Sequence, residues 1–481
     1  MNTIQRLSSE AHDHHHGQNR WAVIPTREKL NADPDLRGRG VTVAFLDSGF
    51  VLHPDIEARI IEFHDVAGEE RDMSGIHEPR PHHWHGTQTV VSCAGEGALS
   101  DGVYRGLASE SNLVLVKASE NGMITDRTIE AGLEWVLEHR QRLGIRVLNL
   151  SLGGDANVKT VDSRINTLAE RLTDAGVVIT VAAGNDSGSK PIPPASAPSV
   201  ITVGGYSDCN SFDEDHFDLY HSTFGATSDG LIKPEVIAPA MYVAAPILPG
   251  TDDYRAAEAL SALYSAPDYL FAKLLPVLGP IAGIGRESEP AAARTEVESH
   301  MQTRKIVAAH YQHVDGTSFA APIAASIVAQ MLEANPGLTP SVVKNILVST
   351  ARRLAGFPSV RQGFGIVNAA AAVAAARSET HFLSKEDYSP PRIEGRRIVF
   401  SFHDDNATDV KLVGNFNDWN ETSDSFYSCR NGLWCASTPC LPKGRYAYKF
   451  LVDGKRWTED GSHGLKEEDG FGGFNSILDL I

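Results

Sequence analysis

The sequence predicts an α/β domain, a parallel sheet flanked by helices, that carries a helical insertion and is followed by a C-terminal all-β, immunoglobulin-like sandwich. Three observations predict it. From about Arg39 to Ala376, short β-branched apolar runs alternate with helical-period segments, which is how a sheet covered on both faces reads. An Ala- and Leu-rich stretch interrupts that alternation between Pro246 and Ala308. Beyond Arg396, short apolar runs separated by Asn, Gly, Asp and Pro replace the helical period.

Taken in order, the chain divides into an N-terminal extension over 1–38, the α/β domain over 39–376 with its insertion at about 246–308, a linker over 377–395, and the sandwich over 396–481. The extension has polar and acidic residues where a signal peptide needs an apolar stretch. Its tract His12-Asp13-His14-His15-His16 can bind a metal, but reads better as a solvated tail and is given no role. Candidate buried strands follow at Val41 to Leu46, Leu113 to Val116, Val147 to Leu150, Val177 to Ala182 and Val200 to Val203. The clearest helix spans Arg127 to Arg140, with Asp126 as its expected N-cap and Ile129, Leu133, Val136 and Leu137 on its core face. In the insertion, Ala256, Leu260, Leu263 and Tyr264 share one helical face, and Leu270, Leu274, Leu275 and Leu278 continue the pattern. The linker falls where charges and Pro390-Pro391 succeed the Ala-rich run Ala369 to Ala376.

Composition excludes some functions. The 43 basic and 61 acidic side chains leave a net charge of −18, which disfavours nucleic acid or an anionic membrane surface as partner. No apolar run is expected to span a bilayer. Five cysteines in no metal-ligand spacing fit a reduced compartment, and the expected location is cytoplasmic. No cofactor and no metal ligands are assigned; calcium is compatible with the sequence but without assignable ligands. Composition does not set the oligomeric state.

Three blocks carry chemistry-bearing residues. The strand Val41 to Leu46 delivers Asp47 at its carboxyl end, where open α/β sheets place their functional crevice, and Ser48-Gly49 turns the chain. Alone, such an aspartate is as often a cap or a turn former. His85 precedes the small-residue run Gly86 to Gly95, suited to a helix packed tightly on the sheet. A surface histidine cluster with His82 and His83 is the plain alternative, but Gly86-Thr87 singles out His85. Gly316-Thr317-Ser318-Phe319-Ala320-Ala321-Pro322 places a serine at the mouth of a second such helix, where free N–H groups and the helix dipole favour a developing anion. A serine there is usually only an N-cap. The order Asp, His, Ser, however, is one of the known orders of a nucleophile, its base and the group that orients the base.

Together the blocks Asp47-Ser48-Gly49, His85-Gly86-Thr87 and Gly316 to Pro322 resemble the signature blocks of the subtilisin family, in order. The resemblance covers roughly Gly40 to Ala376, outside the insertion. It implies a serine endopeptidase in which Asp47, His85 and Ser318 form the triad and Asn185, in Ala182-Ala183-Gly184-Asn185, is an oxyanion donor. It further implies that Ser151, Leu152, Gly153 and Gly154, with Ala183 and Gly184, bind an extended polypeptide substrate, and that Lys233 to Pro239 is the strand before the nucleophile. The other readings are a turn residue for Asn185 and a plain Gly-rich strand end for Ser151 to Gly154. Ala240 and Ile323 depart from the family, where Gly and His are usual, as does the insertion of about sixty residues beside the cleft. Intracellular subtilisins are the closer likeness; there a short extension with an Ile-Pro step lies across the active site, and Ile24-Pro25 is a possible counterpart, against an ordinary docked leader.

In the last domain, Val413 to Trp419, Leu441 to Gly454, Trp457 and Asn475 resemble the glycogen-binding module of the AMP-activated kinase β subunit and of glycogen branching enzymes. The resemblance implies an α-glucan site formed by Trp419, Lys449, Trp457 and Asn475, since aromatic faces stack on sugars while Lys and Asn supply hydrogen bonds. Trp434 reads as core, and the two site tryptophans have a core reading of their own. Two function classes therefore stand side by side: an intracellular endopeptidase with a glucan-binding module, and a latent protease or subtilisin-like scaffold whose sandwich mediates protein interaction.

Overall fold

The computed structural model describes residues 21–480 apart from 71–72, 155–161, 286–288, 380–389, 395–396, 405, 422–425 and 431. The His12 to His16 tract and most of the expected linker lie outside the described residues.

Seven parallel strands build the main sheet: β1 Thr42–Asp47, β2 Ile60–Asp65, β3 Asn112–Lys117, β4 Ile145–Leu150, β5 Val178–Ala182, β6 Ile201–Ser207 and β7 Val236–Pro239. They are ordered β7-β6-β5-β4-β1-β3-β2, with a short antiparallel strand, Asp218–Leu219, on β6. The order reverses direction beside β1, so the switch point, and the crevice it opens, lies at the carboxyl ends of β1 and β4, where Leu46 pairs with Leu150. Side chains alternate along β1: Val43 and Phe45 enter the core beneath α1, His83–Ala94, while Ala44 and Leu46 enter the core beneath α2, Asp126–Leu143, and α3, Arg164–Asp174. Edge strand β2 escaped the sequence reading because Glu62 and His64 interrupt its apolar run and Ile61 stays exposed. The α2 N-cap is Thr125, not Asp126: Thr125 has extended backbone, its hydroxyl accepts from the Thr128 N–H, and its own N–H donates to Thr128 Oγ1 at 2.9 Å.

The insertion is helical, as expected, in three pieces: α4 Asp252–Ser265, α5 Asp268–Ala282 and α6 Pro290–Thr303. They enclose their own core of Leu260, Leu263, Phe271, Leu275, Val297 and Met301. A three-stranded antiparallel stalk carries them, made of β8 Val243–Pro246, β9 Ile306–Ala308 and β10 Tyr311–Val314 in the order β8-β10-β9. The leader docks against this stalk. Val23 packs with Tyr104, Val307 and Tyr311, the Ile24 N–H donates to Asn210 Oδ1 at 2.8 Å, and Lys29 forms a buried ion pair with Asp208 at 2.6 Å. Ile24-Pro25 is thus held by the stalk and the segment after β6 rather than by any of the motif blocks.

Helix α7, Thr317–Ala334, follows the stalk, and α8, Pro340–Thr350, and α9, Ala369–Ser378, complete the domain. Contrary to the expectation that no apolar run is long enough to cross a bilayer, α7 meets that length and composition, with a mean hydropathy of 1.2 over 18 residues. It is a core helix: 83% of that window is buried, from Phe319 through Leu332, against the sheet and α1. Each Ile or Val buried there contributes about 1.5–3 kcal/mol, so the nucleophile candidate at its start stands on one of the most firmly packed elements of the fold.

The sandwich comprises β11 Arg392–Glu394, β12 Arg397–His403, β13 Val410–Gly414, β14 Tyr427–Arg430, β15 Leu433–Pro439, β16 Gly444–Val452, β17 Arg456–Thr458, β18 Lys466–Glu468 and β19 Phe474–Leu480. One sheet is β11-β12-β15-β14; the other is β13-β16-β19-β18, with β17 on β16. Phe400, Phe402, Tyr448 and Phe450 fill the core, with Trp434 against it as expected. The first strand begins at Arg392, inside the expected linker, because Ile393 and Ile398 pair as a hairpin. Leu465 and Ile477 dock the sandwich on Ile232 and Val360 of the α/β domain, and the Arg353 guanidinium stacks on Phe474 at 4.3 Å.

Candidate active site

Asp47 is the last residue of β1 and is 1% exposed, so its carboxylate must be met by donors. The Ser48 N–H reaches Oδ1 at 2.7 Å, His85 Nδ1 lies 2.7 Å from the same oxygen, and the Thr89 hydroxyl is 3.4 Å from Oδ2. His85 sits in the first turn of α1, and Gly86 explains how the helix comes this close. A Cβ at Gly86 would lie 2.2 Å from the Gly49 carbonyl oxygen and 3.1 Å from Asp47 Cβ. Thr87 completes the fastening: its hydroxyl donates to the His83 carbonyl and accepts the Val51 N–H at 2.9 Å. The Gly-Thr step therefore seats the histidine on the aspartate. Burial alone would pull the His85 imidazolium down, but the Asp47 charge and their hydrogen bond outweigh it, leaving the pKa raised above the ordinary histidine value.

Ser318 is the second residue of α7 and is not its N-cap; that position belongs to Gly316, which has no side chain to offer. The free N–H groups of a first turn thus point at the crevice. One of them, that of Thr317, donates to Asn185 Oδ1 at 2.9 Å, and the Thr317 hydroxyl donates to the same oxygen at 2.9 Å. Both bonds use the oxygen of the Asn185 amide and leave its NH2 group facing the start of α7. Asn185 is exposed and follows β5 through buried Ala183, whose N–H donates to the Val203 carbonyl at 3.0 Å, and Gly184, whose N–H reaches Thr317 Oγ1 at 3.2 Å. The Phe319 ring lies 6.1 Å from the His85 ring, bringing the two helix starts side by side. No hydrogen bond joins Ser318 Oγ to His85 among the described residues, a looseness usual before substrate binds.

Ser151 follows β4 beside Asp47. Its hydroxyl donates to the Ser318 carbonyl at 2.8 Å and accepts from Asn149 Nδ2 at 3.0 Å. Strand β4 ends at Leu150, so Ser151 to Gly154 is an unpaired extension rather than a strand; Leu152 is half-buried, Gly153 is exposed, and the Gly154 N–H is taken by the Pro193 carbonyl at 2.8 Å. Of the departures noted in sequence, Ala240 and Ile323 are wholly buried and face core, not crevice. Trp84 escaped the sequence reading. It is 48% exposed and stands edge-on to the His85 ring at 5.3 Å, and only its place beside the histidine in sequence could have flagged it. A cavity of about 720 Å³ lies elsewhere, between the two domains, where Lys344, Arg392 and His463 line it.

In the sandwich the structure brings Trp419 and Trp457 together at 6.3 Å between ring centres. Lys449 on β16 and Asn475 on β19 lie where the Gly444↔Leu480 register makes them cross-strand neighbours, and Leu451, two residues from Lys449 on the same face, pairs with Trp457. Lys449 is not a free donor: its ammonium is paired with Asp469, and hydrogen bonds from Lys449 and from the Phe471 and Gly473 N–H groups hold that carboxyl down at about 2. Trp457 is 41% exposed and Trp419 half-buried, so neither is a core residue.

Residues 38–367 match the family described as the subtilase family, and residues 387–467 match carbohydrate-binding module 48, the isoamylase N-terminal domain. The serine protease AprX of Bacillus subtilis is 31% identical over 354 residues, which cover 71% of this chain and 68% of that protein. Subtilisin-like protease 1 of Trichophyton rubrum is 36% identical over 184 residues, 36% of this chain, and the match spans about a third, 32%, of that relative. Among solved structures, fervidolysin from Fervidobacterium pennivorans, a keratinolytic enzyme related to subtilisin, shares the fold, with a TM-score of 0.52 at 19% identity, covering 94% of this chain and 61% of that one.

Proposed function

The chain belongs to the subtilase family of serine endopeptidases and carries a C-terminal carbohydrate-binding module 48, and from that premise we propose that Asp47, His85 and Ser318 act as its catalytic triad, with Asn185 as oxyanion donor. A serine hydroxyl is a weak nucleophile at neutral pH. In this reading His85 Nε2 takes the Ser318 proton as Oγ attacks the scissile carbonyl, and Asp47, on Nδ1, fixes the ring and supports its positive charge. The tetrahedral oxyanion is met by the Asn185 NH2 group and the Ser318 N–H, both preorganised by Thr317. An acyl-enzyme forms as the amine leaves with the proton from His85, and water repeats the sequence in reverse. Substrate pairs as an extended strand along Leu152 and Gly153, backed by Ala183 and Gly184. The 2.7 Å His85–Asp47 contact at the switch-point crevice carries this reading. Its test is casein cleavage by Ser318→Ala: activity at the parental level in a folded variant refutes it.

The same proposal makes Trp419, Trp457, Lys449 and Asn475 an α-glucan site. Half-exposed, mutually inclined rings, with Trp457 paired to Leu451 two residues from Lys449 on one sheet face, support it. Glucan binding would concentrate the protease on its ligand without altering the chemistry. An intracellular setting completes the proposal: Cys209 and Cys440 are exposed thiols, which oxidising compartments tend to pair.

A further inference from the structure

Directly behind the Asp47-Ser48-Gly49 turn lies a second cluster that the peptidase chemistry does not use. Glu70, on the segment after β2, is 2% exposed, and its Oε1 lies 3.0 Å from His83 Nε2 and 3.8 Å from His82 Nε2. Glu70, His82 and His83 each offer one ligand atom, and these atoms lie within 4.8 Å of one another. Two of the buried polar atoms, Glu70 Oε2 and His82 Nε2, have no hydrogen-bond partner among the described residues. Buried polar groups are nearly always satisfied, so these two atoms are available to a ligand. Both imidazole rings also crowd Gly49, where a Cβ would lie 2.9 Å from the Cδ2 of each; a glycine is needed for them to converge there.

We propose that Glu70, His82 and His83 bind a divalent transition-metal ion of the zinc class, through one carboxylate oxygen and the two Nε2 atoms, with a fourth position left to solvent. The donor set is the imidazole-carboxylate type that such ions select, whereas calcium and magnesium take oxygen. Ligand atoms on a tetrahedral zinc sit about 3.4 Å apart, so the widest pair closes by up to about 1.4 Å while the 3.0 Å Glu70–His83 pair opens slightly. His83 Nδ1 meets the Arg80 N–H at 3.3 Å and the ring also hydrogen-bonds the Glu78 backbone, so ligation at Nε2 requires the Nδ1 proton to turn to Glu78.

Two cations face the site. Lys117 is engaged by Asp65 at 3.0 Å and Glu69 at 2.7 Å. Arg80 lies 3.0 Å from Glu70 Oε1, is 47% exposed and is the group the ion would displace. The site would fasten the segment after β2 to the start of α1. Because the Ser48 hydroxyl donates to the His82 carbonyl at 2.7 Å, that fastening reaches the turn beside Asp47. This inference is independent of the triad assignment.

The test uses the full chain carrying Ser318→Ala, to prevent self-digestion, and His12→Asn, His14→Asn, His15→Asn and His16→Asn, to remove the competing tail. Titration with Co2+ should give a visible d–d band saturating at one equivalent and bleached by Zn2+. His82→Ala, whose ring is partly exposed and whose loss the fold should tolerate, should weaken binding at least tenfold, as should Glu70→Gln. Arg80→Ala should tighten it, because a competing cation is gone. Zn2+ should raise the melting temperature of the parent but not of His82→Ala. Absence of stoichiometric Co2+ and Zn2+ binding, or a band that survives His82→Ala and disappears with His85→Ala, overturns the site.

Discussion

The crevice at the end of β1 and the tryptophan face of the sandwich are both assembled from residues far apart in sequence, yet they are held in different ways. In the crevice the groups that support the chemistry are tied by several contacts. Asp47 accepts from Ser48, His85 and Thr89, the Asn185 oxygen accepts twice from Thr317, and Ser151 bridges Asn149 to the Ser318 carbonyl. On the sandwich, Trp419 follows β13 on a loop and Trp457 belongs to a three-residue edge strand; their rings meet at 50° with 41% of Trp457 exposed. Lys449 is fixed there, by Asp469. Chemistry that must stabilise a transition state requires groups placed in advance, within fractions of an ångström. Stacking on a sugar ring tolerates adjustment. The same outer sheet face divides the tasks along its length: Ala447 and Ile477 pack at the domain interface, and two residues further along Lys449 and Asn475 lie beside the tryptophans.

That contrast sets the scale of the expected effects. Ser318→Ala should lower kcat on casein by about 10⁶-fold, measured against residual hydrolysis in single-turnover assays, because the whole preorganised set acts through one oxygen. Asp47→Asn should cost about 10⁴-fold. It should also move the acid limb of the kcat/KM profile to lower pH. His85 must be neutral to act as base, and its pKa is raised by Asp47; activity in the parent is therefore lost as pH falls through a value above the ordinary histidine pKa, and removing the Asp47 charge leaves burial to lower it. An acid limb that stays in place would separate the two residues. Asn185→Ala should cost about 10²–10³-fold in kcat, or about 2.7–4 kcal/mol, with KM nearly unchanged. At the small end, Trp457→Ala should weaken maltoheptaose binding by the full chain about tenfold in calorimetric titration, about 1.4 kcal/mol, without changing casein turnover. Loss of both functions together would contradict the division between the regions.

The crevice was legible in sequence because its residue types are dictated locally. Gly86 is there for close approach, Gly316 leaves a helix start open, and the buried run before Asp47 reads as a strand. Other features depend on tertiary placement. Strand β2 carries no apolar period of its own, the stalk under the insertion is defined by pairing across more than sixty residues, as at Val243↔Val314, and the Asp469 partner of Lys449 lies in a turn twenty residues away. For the histidines before His85 a surface cluster is the plain alternative; His83 is fully buried, and the fold brings Glu70 to it.

The central claim is that Ser318 is the one serine activated by this arrangement. Labelling the full chain with a fluorophosphonate, followed by digestion and peptide mapping, tests it directly. The account predicts a single adduct, on Ser318, formed faster as pH rises through the His85 pKa and absent in Ser318→Ala. An adduct on another serine, or undiminished labelling in that variant, would contradict it.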